Sequence, residues 1–244
     1  ALSIGSMSML WEKVPAGIGS NVQFIDRTAG FAAAISTIDN ALSKITGTSI
    51  SAGYTADAVA GIDYINTLNA LKARYLLFTG KNTEAIAAAK AAGVDGMITV
   101  DLPPEEADTL TALLDEANIL PIYLLTPTTS DARAQLILDQ CKGYVYYVSL
   151  KGVTGSNQLD IHDVSQKLAH MRSMTDLPIA VGFGISNADT AAQVAAVADG
   201  VVVGSMLVNR INELSGQPTG TITADIGARI AEMRDAMDHA IKTH

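Results

Sequence analysis

The stretch 176-DLPIAVGFGISNADTAAQVAA-196, followed at once by 199-DGVVVGS-205, decides the fold. An apolar run, 177-LPIAVGF-183, ends in Gly-Phe-Gly-Ile-Ser. An alanine-rich stretch of helical character opens at Asn187, whose side chain suits a helix N-cap. A second apolar run then ends in Gly204-Ser205. Short continuous apolar runs that alternate with helices read as parallel strands buried under helices. Glycine at a strand end contributes no packing and costs order. Its recurrence at two successive strand ends implies that something needs close access to the backbone there.

The same unit repeats outward. Apolar, β-branched runs stand at 22-VQFI-25, 48-TSISA-52, 74-RYLLFT-79, 94-VDGMITV-100, 119-ILPIYLL-125, 144-YVYYVSL-150, 177–183 and 199-DGVVVG-204. Helical stretches at 31–45, 57–71, 82–93, 104–118, 131–141, 161–174 and 187–197 separate them, and 224–241 closes the chain. Pro103-Pro104 before Glu105-Glu106 marks a helix start, and Gly93 a helix end. Eight strand-plus-helix units in 244 residues fit a closed (β/α)8 TIM barrel, of the α/β class, better than an open sheet. No linker composition interrupts it, so residues 1–244 read as one barrel domain, with a short extra helix near Met9-Leu10-Trp11-Glu12. The first two units carry the weakest pattern. Asp26 and Arg27 interrupt strand one, 46-TGTSISAGYT-55 is weakly apolar, and a turn-rich reading stays open there.

Composition narrows the function. A formal charge of −9, without a cluster of Lys and Arg, argues against nucleic-acid binding. A single cysteine, Cys141, forbids an intrachain disulfide and reads as a small buried hydrophobe. No run reaches the ~18 apolar residues of a membrane span. The stretch 1-ALSIGSMSML-10 lacks the charged start and long apolar core of a secretion signal, so the expectation is a soluble, cytoplasmic protein. His162, His170, His239 and His244 show no ligand spacing, and no metal site is expected.

In a barrel, ligands bind at the C-terminal ends of the strands, and the ends of strands seven and eight are a recurrent phosphate site. Free amides at a helix start carry partial positive charge, and glycine lets an anion come close. Gly182, Gly184 and Ser186 end strand seven, Gly204 and Ser205 end strand eight, and 152-GVTG-155 follows strand six. A lone Gly-x-Gly would be an ordinary turn. Three such turns at consecutive strand ends favour a cradle for a phosphate monoester.

The segments 91-AAGVDGMITVDLPPEEA-107, 143-GYVYYVSLKGVTG-155, 180-AVGFGIS-186 and 199-DGVVVGS-205 resemble, in order and spacing, the tryptophan synthase α chain family from about residue 74 to residue 210. That family cleaves indole-3-glycerol phosphate to indole and glyceraldehyde 3-phosphate by a retro-aldol reaction in tryptophan biosynthesis. The resemblance implies that Gly155, Gly184, Gly204 and Ser205 hold the substrate phosphate. Tyr146, Thr154 and Phe183 would line the pocket, Phe183 against the indole ring or as an ordinary core aromatic. Asp101 matches a position next to a β-chain partner, or caps the helix that follows. The chain itself would need no cofactor, since pyridoxal phosphate belongs to the β chain.

The chemistry asks for two carboxylates, one for proton transfer and one to steady charge on the indole N–H. Where the family has Glu and Asp, this chain has Ser51 and Ala60, and no Glu occurs between Glu12 and Glu84. Asp57 remains in the loop as the candidate catalytic acid, or as a helix N-cap; Asp26 and Asp63 are further substitutes. The resemblance thus implies an α-type lyase. The departures leave open a relative that binds a phosphorylated ligand or a β-like partner without cleavage.

Overall fold

Alternation of side chains about Val145–Val148 organises the part of the molecule that carries the site. Val145 and Tyr147 are buried and Tyr146 and Val148 half-buried, the period of two that a strand imposes. The computed structural model describes residues 2–16, 22–45, 62–100, 102–149, 160–182 and 184–241. Contacts divide the chain into two units, Ala1–Asp95 with Asp108–Ile119, and Gly96–Ala107 with Leu120–His244.

The first unit holds α1 (Leu2–Leu10), β1 (Lys13–Pro15), β2 (Phe24–Asp26), α2 (Arg27–Ile45), α3 (Tyr64–Phe78), α4 (Asn82–Ala91) and α5 (Asp108–Glu116). The strand expected at 22–25 is present as β2, but it pairs antiparallel with β1, Val14 opposite Ile25. The connection between the two is shorter than the dozen or more residues that a parallel crossover requires. The strand expected at 74–79 is helical. Tyr75 and Leu76 are both buried while Leu77 and Phe78 are exposed, a grouping that fits a helix turn and breaks strand alternation. The core of this unit joins Phe31, Ala34 and Ile38 of α2 to Tyr75 of α3. The strand expected at 48–52 lies outside the described residues. Two carboxylates weighed for catalysis hydrogen-bond the starts of helices. Asp26 accepts from the Ala29 amide at 2.8 Å, and Asp63 caps α3 by accepting from the Asn66 amide at 2.9 Å.

The second unit holds β3 (Gly96–Ile98), a 3-10 turn (Pro104–Glu106), β4 (Leu120–Ile122), β5 (Leu124–Leu125), α6 (Asp131–Gln140), β6 (Val145–Val148), α7 (Ile161–Arg172), β7 (Ile179–Gly182), α8 (Ala188–Ala195), β8 (Gly200–Val202), α9 (Ser205–Glu213) and α10 (Thr219–Ile241). Here strand and helix alternate as expected, and every strand pair is parallel. β3 pairs with β4, Met97 opposite Pro121. β5 pairs with β6, β6 with β7, and β7 with β8. The single expected strand 119–125 supplies both β4 and β5, one bonded to each neighbour. Helices seal one face of this ladder. Val145, Tyr147, Ile179 and Val181 pack there against Ile137 and Leu138 of α6, Val164 and Leu168 of α7, and Val194 of α8. Each fully buried Leu, Ile or Val contributes about 1.5–3 kcal/mol by leaving water. Cys141 is buried in the same cluster, donates to the Tyr144 carbonyl at 3.1 Å, and has its thiol pushed up by burial. Helix α9 adds an element that the alternation did not anticipate. Among the described residues no helix is long and apolar enough to cross a membrane.

Candidate functional site

A cavity of about 550 Å³ opens at the C-terminal ends of β7 and β8, in the second unit. Its floor is the open face of the ladder, where Tyr146 and Val202 point. Its walls are the turn Gly184-Ile185-Ser186 after β7 and the first turns of α9, Gly204-Ser205-Met206. Asn209, Arg210 and Glu213 of α9 and Arg229 of α10 complete it.

Local sequence sets each wall. Gly184 has φ 79°, a left-handed conformation that side chains disfavour, and it turns the chain from β7 toward α8. Asn187 caps α8 by accepting from the Thr190 amide at 2.8 Å. Thr190 Oγ1 in turn accepts from the Asn187 and Ser186 amides at 3.2 and 3.1 Å, a reciprocal cap of the kind that closes helix starts. The Ser186 amide is therefore engaged within the protein. At α9 the cap is Gly204, without a side-chain hydrogen bond. The first amide bonded back into this helix is that of Leu207, to the Gly204 carbonyl at 3.0 Å. The Ser205 and Met206 amides thus have no acceptor among the described residues, as expected of the first N–H groups of a helix. They face the side of the helix that attracts anions.

Gly182 has a different task from the one expected of it. A Cβ there would collide with the hydroxyl and Cζ of Tyr146, on the neighbouring strand. The glycine makes room for the tyrosine, whose ring is thereby laid across the sheet at the cavity floor. Ser149 fixes the same strand ends, its amide and Oγ both donating to the Gly182 carbonyl at 3.1 and 2.8 Å. Burial pushes the Tyr146 phenol up, with a smaller contribution from Tyr144.

The far wall is charged. Arg210 Nε and Nη2 donate to the two oxygens of Asp225 at 2.7 and 2.9 Å, and Nη1 donates to Glu213 at 2.9 Å. Arg229 Nε donates to Asp225 at 3.0 Å. The hydrogen bonds from Arg210, then the one from Arg229, hold the Asp225 carboxyl well below the usual carboxylate range.

Of the residues singled out in the sequence, Gly184, Gly204, Ser205 and Tyr146 come together in this cavity. Asp57, Ser51, Ala60, Asp101, Thr154, Gly155 and Phe183 lie outside the described residues. Met206, Asn209, Arg210, Glu213 and Arg229 were not anticipated. An amphipathic segment opening directly after Gly204-Ser205 was the signal for α9. The pairing of Arg210 with Asp225 had none, because 15 residues separate them. Among the described residues no group of three or more His, Cys, Asp and Glu is placed to hold a metal.

Parallel strands alternating with helices, with a cavity at the C-terminal ends of β7 and β8, are the arrangement of α/β-barrel proteins of the (β/α)8 class. The chain belongs to the tryptophan synthase alpha chain family, whose sequence model matches residues 69–238. It is 54% identical over 159 residues to the tryptophan synthase alpha chain of Thioalkalivibrio sulfidiphilus, covering 65% of this chain and 59% of that one. To the alpha chain of Methylococcus capsulatus it is 52% identical over 150 residues, covering 62% and 56%. The chain thus spans less than three fifths of the length of these relatives. Among solved structures, tryptophan synthase subunit alpha of Legionella pneumophila superposes with TM-score 0.59 at 32% identity, over 72% of this chain and 70% of that one. A chain of the tryptophan synthase complex of Pyrococcus furiosus gives TM-score 0.56 at 27% identity, over 72% and 74%.

Proposed function

We propose that the chain is an α-type lyase of tryptophan biosynthesis, which cleaves indole-3-glycerol phosphate to indole and glyceraldehyde 3-phosphate. The observation that carries this reading is the cavity at the ends of β7 and β8, in a chain of this family. The Ser205 and Met206 amides would take the phosphate oxygens, with Gly184 leaving room for the anion and Gly155 closing the cradle. Ser205 Oγ adds a donor. Tyr146, Thr154 and Phe183 would border the indole and glycerol parts.

Cleavage breaks the bond between indole C3 and the adjacent glycerol carbon. That carbon's hydroxyl loses its proton and becomes the aldehyde, while C3 gains a proton. One carboxylate must shuttle those protons, and Asp57 is the group assigned to it. Asp101 is assigned to the surface for a β chain. The alpha-family neighbour from Pyrococcus furiosus was solved as a tryptophan synthase complex, which supports a partner of that kind. Pyridoxal phosphate would reside in that partner, and this chain would need no cofactor of its own.

Ser51 and Ala60, at the positions of the usual carboxylates, favour a second reading: a relative that keeps the cradle and has lost cleavage. Indole release from indole-3-glycerol phosphate separates the two. It is measured with and without a β subunit, beside calorimetric binding of the same compound. Turnover that disappears in Asp57→Asn supports the lyase. Binding without turnover supports the second reading, and neither binding nor turnover removes both.

A further inference from the structure

Two arginines line the cavity, and they are engaged differently. Arg210 uses all three of its nitrogens on carboxylates, two on Asp225 and one on Glu213. Arg229 donates only through Nε, to Asp225 Oδ1. Its two terminal nitrogens meet no acceptor among the described residues. A guanidinium carries five N–H donors in a planar fork, so four remain on Arg229. The side chain is 42% exposed, against 26% for Arg210.

The charges of the cluster cancel: two arginines against Asp225 and Glu213. Their arrangement is uneven, however. Both carboxylates are turned onto Arg210, which ties α9 to α10 and has no fork left for a ligand. The positive edge that stays open belongs to Arg229, and it lines the same cavity as the uncapped start of α9. Asp225 holds this guanidinium by its Nε alone, and that contact orients the fork while leaving the outer edge free.

We propose that Arg229 is a second anion anchor, whose terminal nitrogens take the outward oxygens of a phosphate monoester held at the Ser205 and Met206 amides. It adds cationic N–H donors to a site otherwise built from backbone amides and the Ser205 hydroxyl, and so favours phosphate monoesters over their uncharged analogues. Arg210 is the positioning residue of the pair. The inference rests on the reading of this cavity as the phosphate site.

The test is calorimetric titration of the full chain with glycerol 3-phosphate, at low and at high ionic strength. Wild type is compared with Arg229→Gln and Arg229→Lys, and thermal unfolding of each is recorded. The proposal expects Arg229→Gln to weaken binding about five- to tenfold at low salt, the scale of a partly exposed charge-assisted contact. It also expects a shallower salt dependence, partial recovery of binding in Arg229→Lys, and unfolding temperatures lowered by no more than the small loss of the exposed Arg229–Asp225 pair. Wild-type affinity in a folded Arg229→Gln overturns the proposal and leaves the cavity reading standing. Weaker binding that tracks a lower unfolding temperature, without recovery in Arg229→Lys, assigns Arg229 to structure and also overturns it. Absence of binding by wild type removes the cavity reading, and the proposal with it.

Discussion

The Tyr146 ring occupies the place that a side chain at position 182 would need, with its hydroxyl and Cζ inside contact distance of an added Cβ and its Cε1 at 3.0 Å. Tyr146 and Gly182 sit on adjacent parallel strands, β6 and β7, two register positions apart. The glycine at this strand end therefore shapes the cavity floor by an absence of side chain, and its contribution to any ligand is indirect.

Gly182→Ala should force Tyr146 out of that position. Overpacking of this kind costs about 1–3 kcal/mol, readable as a lower urea midpoint. Most of the loss should disappear when Gly182→Ala is made in a Tyr146→Ala background. An equal loss in both backgrounds would place the clash elsewhere.

Asp225 ties the stability of the α9–α10 junction to pH. Its folded pKa is depressed by the hydrogen bonds from Arg210 and then Arg229. A carboxyl of this kind contributes stability that is complete above its unfolded pKa of about 4, and lost as pH falls toward the folded value. Thermal unfolding followed downward from pH 6 should show this acid limb in wild type. Asp225→Asn should be less stable at pH 6 and flatter below it. Parallel curves would show that the carboxylate carries no such linkage.

Tyr147 presents the opposite case. It is 2% exposed, and its hydroxyl has no hydrogen-bond partner among the described residues. Removing a buried hydroxyl that has lost water and gained nothing should stabilise, by up to about 1–2 kcal/mol. Tyr147→Phe is accordingly expected to raise the urea midpoint. Burial, and then Asp163, push the phenol up to about 12. The unfolded phenol ionises near pH 10, so wild type should lose stability as pH rises from about 10 toward 12. Tyr147→Phe should lack that component. A lower midpoint in Tyr147→Phe would mean that the hydroxyl is satisfied.

The parallel ladder was legible because its strands are continuous apolar runs punctuated by residues with one use each. Asn187 marked the start of α8, and it caps that helix through Thr190. Gly184 and Gly204-Ser205 marked the strand ends that border the cavity. By contrast, 74-RYLLFT-79 misled, since a short apolar run fits a strand or a buried helix segment equally well. Leu68, Leu71 and Tyr75 share one helix face in the first unit's core, and that spacing was the better guide. The charged wall was illegible for a different reason. The Arg210–Asp225 contact depends on how two helices pack, and neither residue announces its partner in sequence.

Thr190 offers a test of which amides remain for a ligand. Its Oγ1 accepts from Ser186 and Asn187, and its amide donates to Asn187 Oδ1. Thr190→Val keeps the shape and removes the acceptor, leaving two amides unsatisfied at the start of α8. The loss expected is about 0.5–2 kcal/mol, the scale of a helix cap, while Thr190→Ser should unfold like wild type. Binding supplies the sharper comparison. If the anion sits on the amides of α9, Thr190→Val should bind glycerol 3-phosphate within about twofold of wild type once folded, because Ser205 and Met206 are untouched. Its Ser186 amide is newly released, so a large gain in affinity would move the anion to the β7–α8 turn. A large loss would show that the cap holds Gly184 in the one conformation that admits the ligand.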